Sequence, residues 1–269
     1  MFGPPFPAEI MMANYVIAAD VGNTNTHIGL VNCRSASILS LDIFPTNDVD
    51  DRFVNSIASL SQSMKHVAPV PVVISSVIKS LEARFTAPLS GSIEGTVLWV
   101  RDDPRLPLTI NYDAPDKLGP DRLVNCLYGY SAFGGKSQII IDAGTTITVD
   151  YLKNGKEFCG GAIMPGLTTQ LESLHDHTDA LPRIEEGEID FEFPGHSTRS
   201  CMHGGVRFGI AGALTSLVEK YRGYFNETSL VLTTGGAWKY VQDLVGFEFQ
   251  YIPELTLVGC AQYYALTAE

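Results

Sequence analysis

Tyr15-Val16-Ile17-Ala18-Ala19-Asp20-Val21-Gly22-Asn23-Thr24 is an apolar run that ends in Asp-x-Gly-x-Thr. The phrase returns as Ile139-Ile140-Ile141-Asp142-Ala143-Gly144-Thr145-Thr146. In each copy a buried strand carries a carboxylate to its end, and a glycine lets the backbone turn tightly. The Thr or Asn that follows offers hydroxyl or amide groups able to hold a phosphate or a hydrated cation. One copy reads equally well as an ordinary turn capped by Asx and Thr side chains. Two copies point to duplicated halves facing each other across one nucleotide.

The segments around each phrase repeat as well. After Asp20 come short apolar segments at Ile28 to Val31 and Ile38 to Phe44, separated by a polar turn at Asn32 to Ser35. Three strands with short connections predict an antiparallel meander. Phe53, Ile57, Leu60 and Met64 then recur at helical spacing. A strand at Val72 to Ser75, a helix around Leu81 and Phe85 and a strand at Thr96 to Val100 complete a βββαβαβ order. The second half begins alike, with strands at Ile139 to Asp142, Ile147 to Leu152 and Phe158 to Met164, and Asn154-Gly155 as a hairpin turn. A helix begins after Pro165-Gly166. A long helix spans Met202 to Tyr221, with Val206, Ile210, Leu214, Leu217 and Tyr221 on one face. A strand at Leu230 to Thr233 and a helix over Leu255 to Leu266 follow.

In Rossmann and P-loop plans a helix follows the first strand directly, so neither matches. The chain also lacks G-x-x-x-x-G-K-[ST]. The order instead resembles the duplicated ribonuclease-H-like fold of the actin, Hsp70 and sugar kinase superfamily. This gives an α/β protein of two tandem ribonuclease-H-like (actin-like ATPase) domains with an interdomain cleft, an N-terminal one over 13–118 and a C-terminal one over 119–269. The helix Asp121 to Ala132 would bridge them. Residues 1–12, rich in proline, read as a disordered extension, with Met1, Met11 or Met12 as the start; no basic residue precedes an apolar core there, so a secretory signal is not indicated.

Bulk properties narrow the partners. The net charge of −12 over 269 residues disfavours nucleic acid and anionic membrane as partners. No apolar stretch approaches the roughly 18–20 residues a membrane span needs. Cys33, Cys126, Cys159, Cys201 and Cys260 are scattered, odd in number and without a C-x-x-C pair. Free thiols in a reducing, cytoplasmic setting are the reading.

Several stretches carry candidate chemistry. Asp20, Gly22, Asn23 and Thr24 form a first phosphate loop, with Asp20 suited to a hydrated metal ion. Asp142, Gly144, Thr145 and Thr146 form a second; a carboxylate ending a strand of three isoleucines is costly unless it meets a cation or donors. In Tyr112 to Arg122, Gly119-Pro120 breaks the chain before a helix whose first turn holds Asp121 and Arg122. Asp121 is either a favourable helix-start charge or a base that accepts a proton from an alcohol. Arg122 would hold the anionic group being transferred. Gly160 to Gly166 and Thr233 to Gly236 read equally as ligand contacts or tight packing. Thr198 precedes a helix and suits its N-terminal cap. His175 and His177 lie two apart at a helix end, which is poor geometry for one metal.

DVGNT at Asp20–Thr24, GPDR at Gly119–Arg122, DAGTTIT at Asp142–Thr148, GGAIMPG at Gly160–Gly166 and TGG at Thr234–Gly236 look like the motifs of type III pantothenate kinases, in matching order and spacing. The resemblance covers nearly the whole chain from Ala13 on. It implies a homodimer that uses ATP to phosphorylate the primary hydroxyl of pantothenate, with a monovalent cation (potassium or ammonium) alongside magnesium. By position it implies ATP binding by Asp20, Val21, Gly22, Asn23, Thr24, Asn25, Thr26, His27 and Thr145, and Asp121 as general base. It further implies that Asp142 binds the monovalent cation, and that Tyr112, Gly119, Pro120, Asp121, Arg122 and Thr198 hold pantothenate. The family usually has Ala where Pro120 and Thr146 stand here, and Thr198 lies in a less typical context. A kinase of a sugar or acetate, and a regulator that binds nucleotide without turnover, are the rival readings.

Overall fold

A computed structural model describes residues 14–64, 69–184 and 192–268. The expected extension over 1–12, with its alternative starts, lies outside the described residues. Two compact units are present. One holds the residues up to Ala132 and those from Glu254 on; the other holds Phe133–Pro253.

The first unit contains β1 (Tyr15–Val21), β2 (Asn25–Asn32), β3 (Ile38–Pro45), α1 (Val49–Met64), β4 (Val72–Ser76), α2 (Ser80–Ser92), β5 (Val97–Trp99), β6 (Thr109–Ile110) and α3 (Pro120–Phe133). The second contains β7 (Gln138–Ala143), β8 (Thr146–Lys153), β9 (Glu157–Pro165), α4 (Leu167–Asp176), α5 (Thr198–Phe225), β10 (Leu230–Thr234) and β11 (Gln250–Tyr251). Helix α6 (Leu255–Thr267) belongs to the first unit.

The duplication read from the two Asp-x-Gly phrases is a duplication of topology. In the first unit the strands lie in the order β3-β2-β1-β4-β5. In the second the corresponding strands lie β9-β8-β7-β10-β11. The Asp-bearing strand is central each time, with an antiparallel hairpin partner on one side and a parallel strand on the other. A parallel neighbour needs a crossover connection, supplied by α1 in one unit and by α4 and α5 in the other.

Alternation decides what each face of β1 buries. Ile17, Ala19 and Val21 point into a core with Phe44, Phe53, Ile57, Leu81, Phe85 and Leu89. The Phe53 and Phe85 rings meet edge-on at 5.3 Å. Burying each such side chain contributes about 1.5–3 kcal/mol. The C-terminal helix α6 packs against β1, β2 and β4. That packing places the chain's end in the first unit, whereas the sequence suggests a second domain over 119–269.

In the second unit Ile139, Ile141 and Ala143 pack with Val206, Ile210, Leu214 and Val218 of α5 and with Trp238. Leu217 and Tyr221 border this core, half-buried. Asn154 and Gly155 have φ of 52° and 68°, the double left-handed turn that the Asn-Gly pair predicts. Helix α5 starts at Thr198, earlier than the apolar periodicity suggested, because Ser197 and Ser200 close a capping box ahead of it.

Candidate active site

The register of the first hairpin pairs Val21 with Thr26 and leaves 22–25 as the turn. Gly22 N–H donates to Asn25 O at 3.1 Å. Thr46, just past β3, fastens this turn from below. Its N–H donates to Thr24 O at 2.8 Å, and its hydroxyl donates to Gly22 O at 2.9 Å and lies 3.1 Å from the Thr26 hydroxyl. Asn23, Thr24 and Asn25 are therefore presented outward on a held backbone. The side chains of Val21 and Thr26 are fully buried, so any contact they make with a nucleotide runs through the main chain.

Asp20 is half-buried and stands opposite His27 on β2 and Ser75 on β4. Directly opposed residues share a sheet face. His27 Nδ1 meets Glu254 Oε2 at 2.6 Å.

The second hairpin pairs Ala143 with Ile147, so its turn, 144–146, is one residue shorter. Gly144 N–H donates to Thr146 O at 3.1 Å. Two segments clamp this loop. Gly166 N–H and the Thr169 hydroxyl both donate to Thr145 O, at 2.8 and 2.7 Å. Ala237 N–H donates to Ala143 O at 3.0 Å. A Cβ on Gly166 would overlap the Gly144 and Thr145 carbonyls, and one on Gly235 would overlap the Ala143 backbone. Of the two open readings for the Gly160–Gly166 and Thr233–Gly236 segments, tight packing accounts for Gly166 and Gly235. Thr145 and Thr146 face outward, and Asp142 is half-buried between Thr148 and Thr234 of the flanking strands.

Helix α3 assembles the third group. Asp121 and Arg122 occupy its first turn, and Leu123 N–H donates to Gly119 O at 3.0 Å. Desolvation raises the Asp121 pKa above the ordinary carboxylate value, against the lowering effects of the Arg122 N–H and guanidinium. The carboxylate is thus a stronger proton acceptor than a surface aspartate. Arg122 is buried, and its guanidinium carbon stands 5.8 Å from the centroid of the half-exposed Tyr112 ring. Tyr112, Gly119, Pro120, Asp121 and Arg122 are brought together in one unit. Thr198 opens α5 in the other, its side chain exposed.

The two strand-end carboxylates offer hard oxygen donors beside hydroxyls and amides, a set suited to magnesium or potassium and not to a soft metal. Among the described residues no three His, Cys, Asp or Glu side chains gather as a metal cage. One carboxylate per loop fits a cation completed by phosphate and water. His175 Nδ1 lies 2.8 Å from Leu181 O, a backbone bond at the end of α4. The five cysteines are free thiols, three of them buried.

A family profile described as type III pantothenate kinase matches residues 16–220. This chain belongs to that family. It is 29% identical over 254 residues to a type III pantothenate kinase of Chlorobium chlorochromatii, covering 92% of this chain and 94% of the relative. Two solved structures share the fold. A Campylobacter jejuni protein described as a Baf family transcriptional activator has a TM-score of 0.58 at 17% identity, covering 93% of this chain and 98% of that one. A ROK family glucokinase from Streptomyces griseus, in complex with glucose and AMPPNP, has a TM-score of 0.53 at 14% identity, covering 93% and 98%. The expected ribonuclease-H-like, actin-like ATPase architecture is borne out. No helix among the described residues is long and apolar enough to cross a membrane.

Sequence reading passed over Thr46, Thr169 and Glu254. Thr46 and Thr169 left a signal in hindsight: each is a hydroxyl at a strand or helix boundary that a loop carbonyl needs. Glu254 left none, because its partner is 227 positions away.

Proposed function

We propose that Asp121 and the two hairpin loops carry the reaction for which the family is named, transfer of the γ-phosphoryl group of ATP to the primary hydroxyl of pantothenate. The product is 4′-phosphopantothenate, at the first step of coenzyme A biosynthesis. One observation carries the assignment of the acceptor side: Asp121, with its raised pKa, shares a helix start with Arg122, whose guanidinium stands by the Tyr112 ring.

The hydroxyl oxygen attacks the γ-phosphorus, the bond from phosphorus to the β,γ-bridging oxygen breaks, and ADP leaves. Asp121 takes the hydroxyl proton as the new bond forms. Tyr112 and the Gly119–Arg122 turn orient pantothenate, and Arg122 neutralises charge on its anionic end or on the group in flight. The exposed hydroxyl and amide groups of Asn23, Thr24, Asn25, Thr145 and Thr146 receive phosphate oxygens.

Asp20 would anchor magnesium brought with ATP, and Asp142 would hold a monovalent cation, potassium or ammonium. Such ions would supply positive charge to the phosphoryl group. The active form is a homodimer in the cytoplasm.

The test is ADP release from the purified full-length chain, offered ATP with pantothenate, a sugar or acetate, in potassium or sodium buffer. The reading expects release that requires pantothenate and is stimulated by potassium, with that stimulation lost in Asp142→Ala. Release driven by a sugar or acetate would transfer the chain to another acceptor. Nucleotide binding without release under any condition would favour the regulator reading.

A further inference from the structure

We propose that Glu254 is a positioning residue for the nucleotide, holding the His27 imidazole against the base of the first phosphate loop. The proposal rests on the reading of that loop as nucleotide-binding.

Position singles out His27, the one imidazole in the two loop stretches, 20–27 and 142–148. The sheet register sets His27 directly opposite Asp20, on the same face. Its Nδ1 is engaged by Glu254 Oε2 at 2.6 Å, which fixes the ring's orientation.

Backbone geometry singles out Glu254. It sits at φ 51° and ψ 41°, a left-handed conformation that glycine adopts freely and glutamate does not. It immediately precedes α6, whose Leu255 and Leu257 are fully buried against the first unit's core. A glutamate here accepts local strain, and what it supplies in return is a carboxylate 227 residues along the chain from the imidazole it holds. The C-terminal helix thereby anchors the first hairpin. A surface ion pair would do this poorly, but both side chains here are about three-quarters buried, with exposures of 26% and 23%.

The experiment uses the full-length chain and two substitutions. Glu254→Gly removes the carboxylate while relaxing the backbone, so the fold is retained. Glu254→Gln keeps a hydrogen-bond acceptor. Calorimetry with AMPPNP should show about tenfold weaker binding for Glu254→Gly, the loss of one charge-assisted hydrogen bond. Glu254→Gln should fall between it and the parent. KM for ATP should rise in step, with kcat and KM for pantothenate unchanged and the melting temperature not lowered. Combining Glu254→Gly with His27→Ala should weaken AMPPNP no further than His27→Ala alone. Unchanged AMPPNP affinity in Glu254→Gly would overturn the proposal, as would equal losses in both KM values with a lowered melting temperature. Because AMPPNP binding is read without turnover, a chain that binds it normally but leaves pantothenate unphosphorylated would contradict the acceptor assignment alone.

Discussion

The carboxylate of Asp121 folds back over Gly119, so closely that a Cβ on Gly119 would overlap Asp121 Oδ1. The glycine of the Gly-Pro-Asp-Arg turn is thus more than a chain breaker. It leaves the space in which the proposed base rests.

Gly119→Ala should leave stability nearly unchanged, because the obstructing atom ends a side chain and can swing aside. Turnover should fall about 10²-fold, the usual consequence of displacing a reacting group by about 1 Å. Paired thermal melts and kcat measurements would separate the two effects. A full-rate Gly119→Ala enzyme would mean that the observed carboxylate position is not the working one.

The second loop should depend on Gly235 for a different reason. Its φ is +93°, and the atoms a side chain would meet belong to the Ala143 backbone, which cannot rotate away. Gly235→Ala should cost at least about 2 kcal/mol from strain and overlap together. The neighbouring Gly236→Ala, with nothing within 4 Å of its Cβ, should be near neutral. Urea denaturation of the two variants gives the comparison.

Thr46→Val should uncouple the first loop from β3. It removes the donor to Gly22 O and the partner of the buried Thr26 hydroxyl, at a cost of about 1–3 kcal/mol. KM for ATP should rise more than KM for pantothenate, and Thr46→Ser should restore both stability and KM.

Asp121 also makes a prediction about pH and stability. Its pKa is raised in the folded chain, with burial as the largest cause. The folded state therefore favours the protonated acid. The stability it contributes is present below the unfolded-state carboxylate pKa and is lost as pH rises through the folded one. Asp121→Asn should accordingly melt higher than the parent near neutral pH, with the gap closing on acidification. The acid limb of kcat/KM should also lie above the ordinary carboxylate range. A constant melting gap across pH would contradict the buried-base description.

How much of this was legible in the residues varies with range. The central strands and their hairpins were readable, because apolar runs end in Asp-x-Gly and Asn154-Gly155 dictates a local turn. The gathering of Tyr112 with Gly119–Arg122 was readable too, since the whole group lies within a few turns of chain. What the residues concealed is long-range. Nothing local says that the apolar helix from Leu255 returns to the first unit's sheet, since a helix buried almost all round fits either core. Nothing near Thr46 or Glu254 says which loop each will hold. The raised pKa of Asp121 was equally hidden, because a helix-start aspartate is usually solvated, and only the packed surroundings of α3 desolvate this one.

The most direct measurement is turnover by Asp121→Asn, with AMPPNP binding measured on the same preparation. The amide keeps the shape of the side chain but cannot take the pantothenate proton. The account predicts a fall in kcat of about 10²–10⁴-fold with AMPPNP affinity retained. An Asp121→Asn enzyme that phosphorylates pantothenate at the parent rate would contradict it.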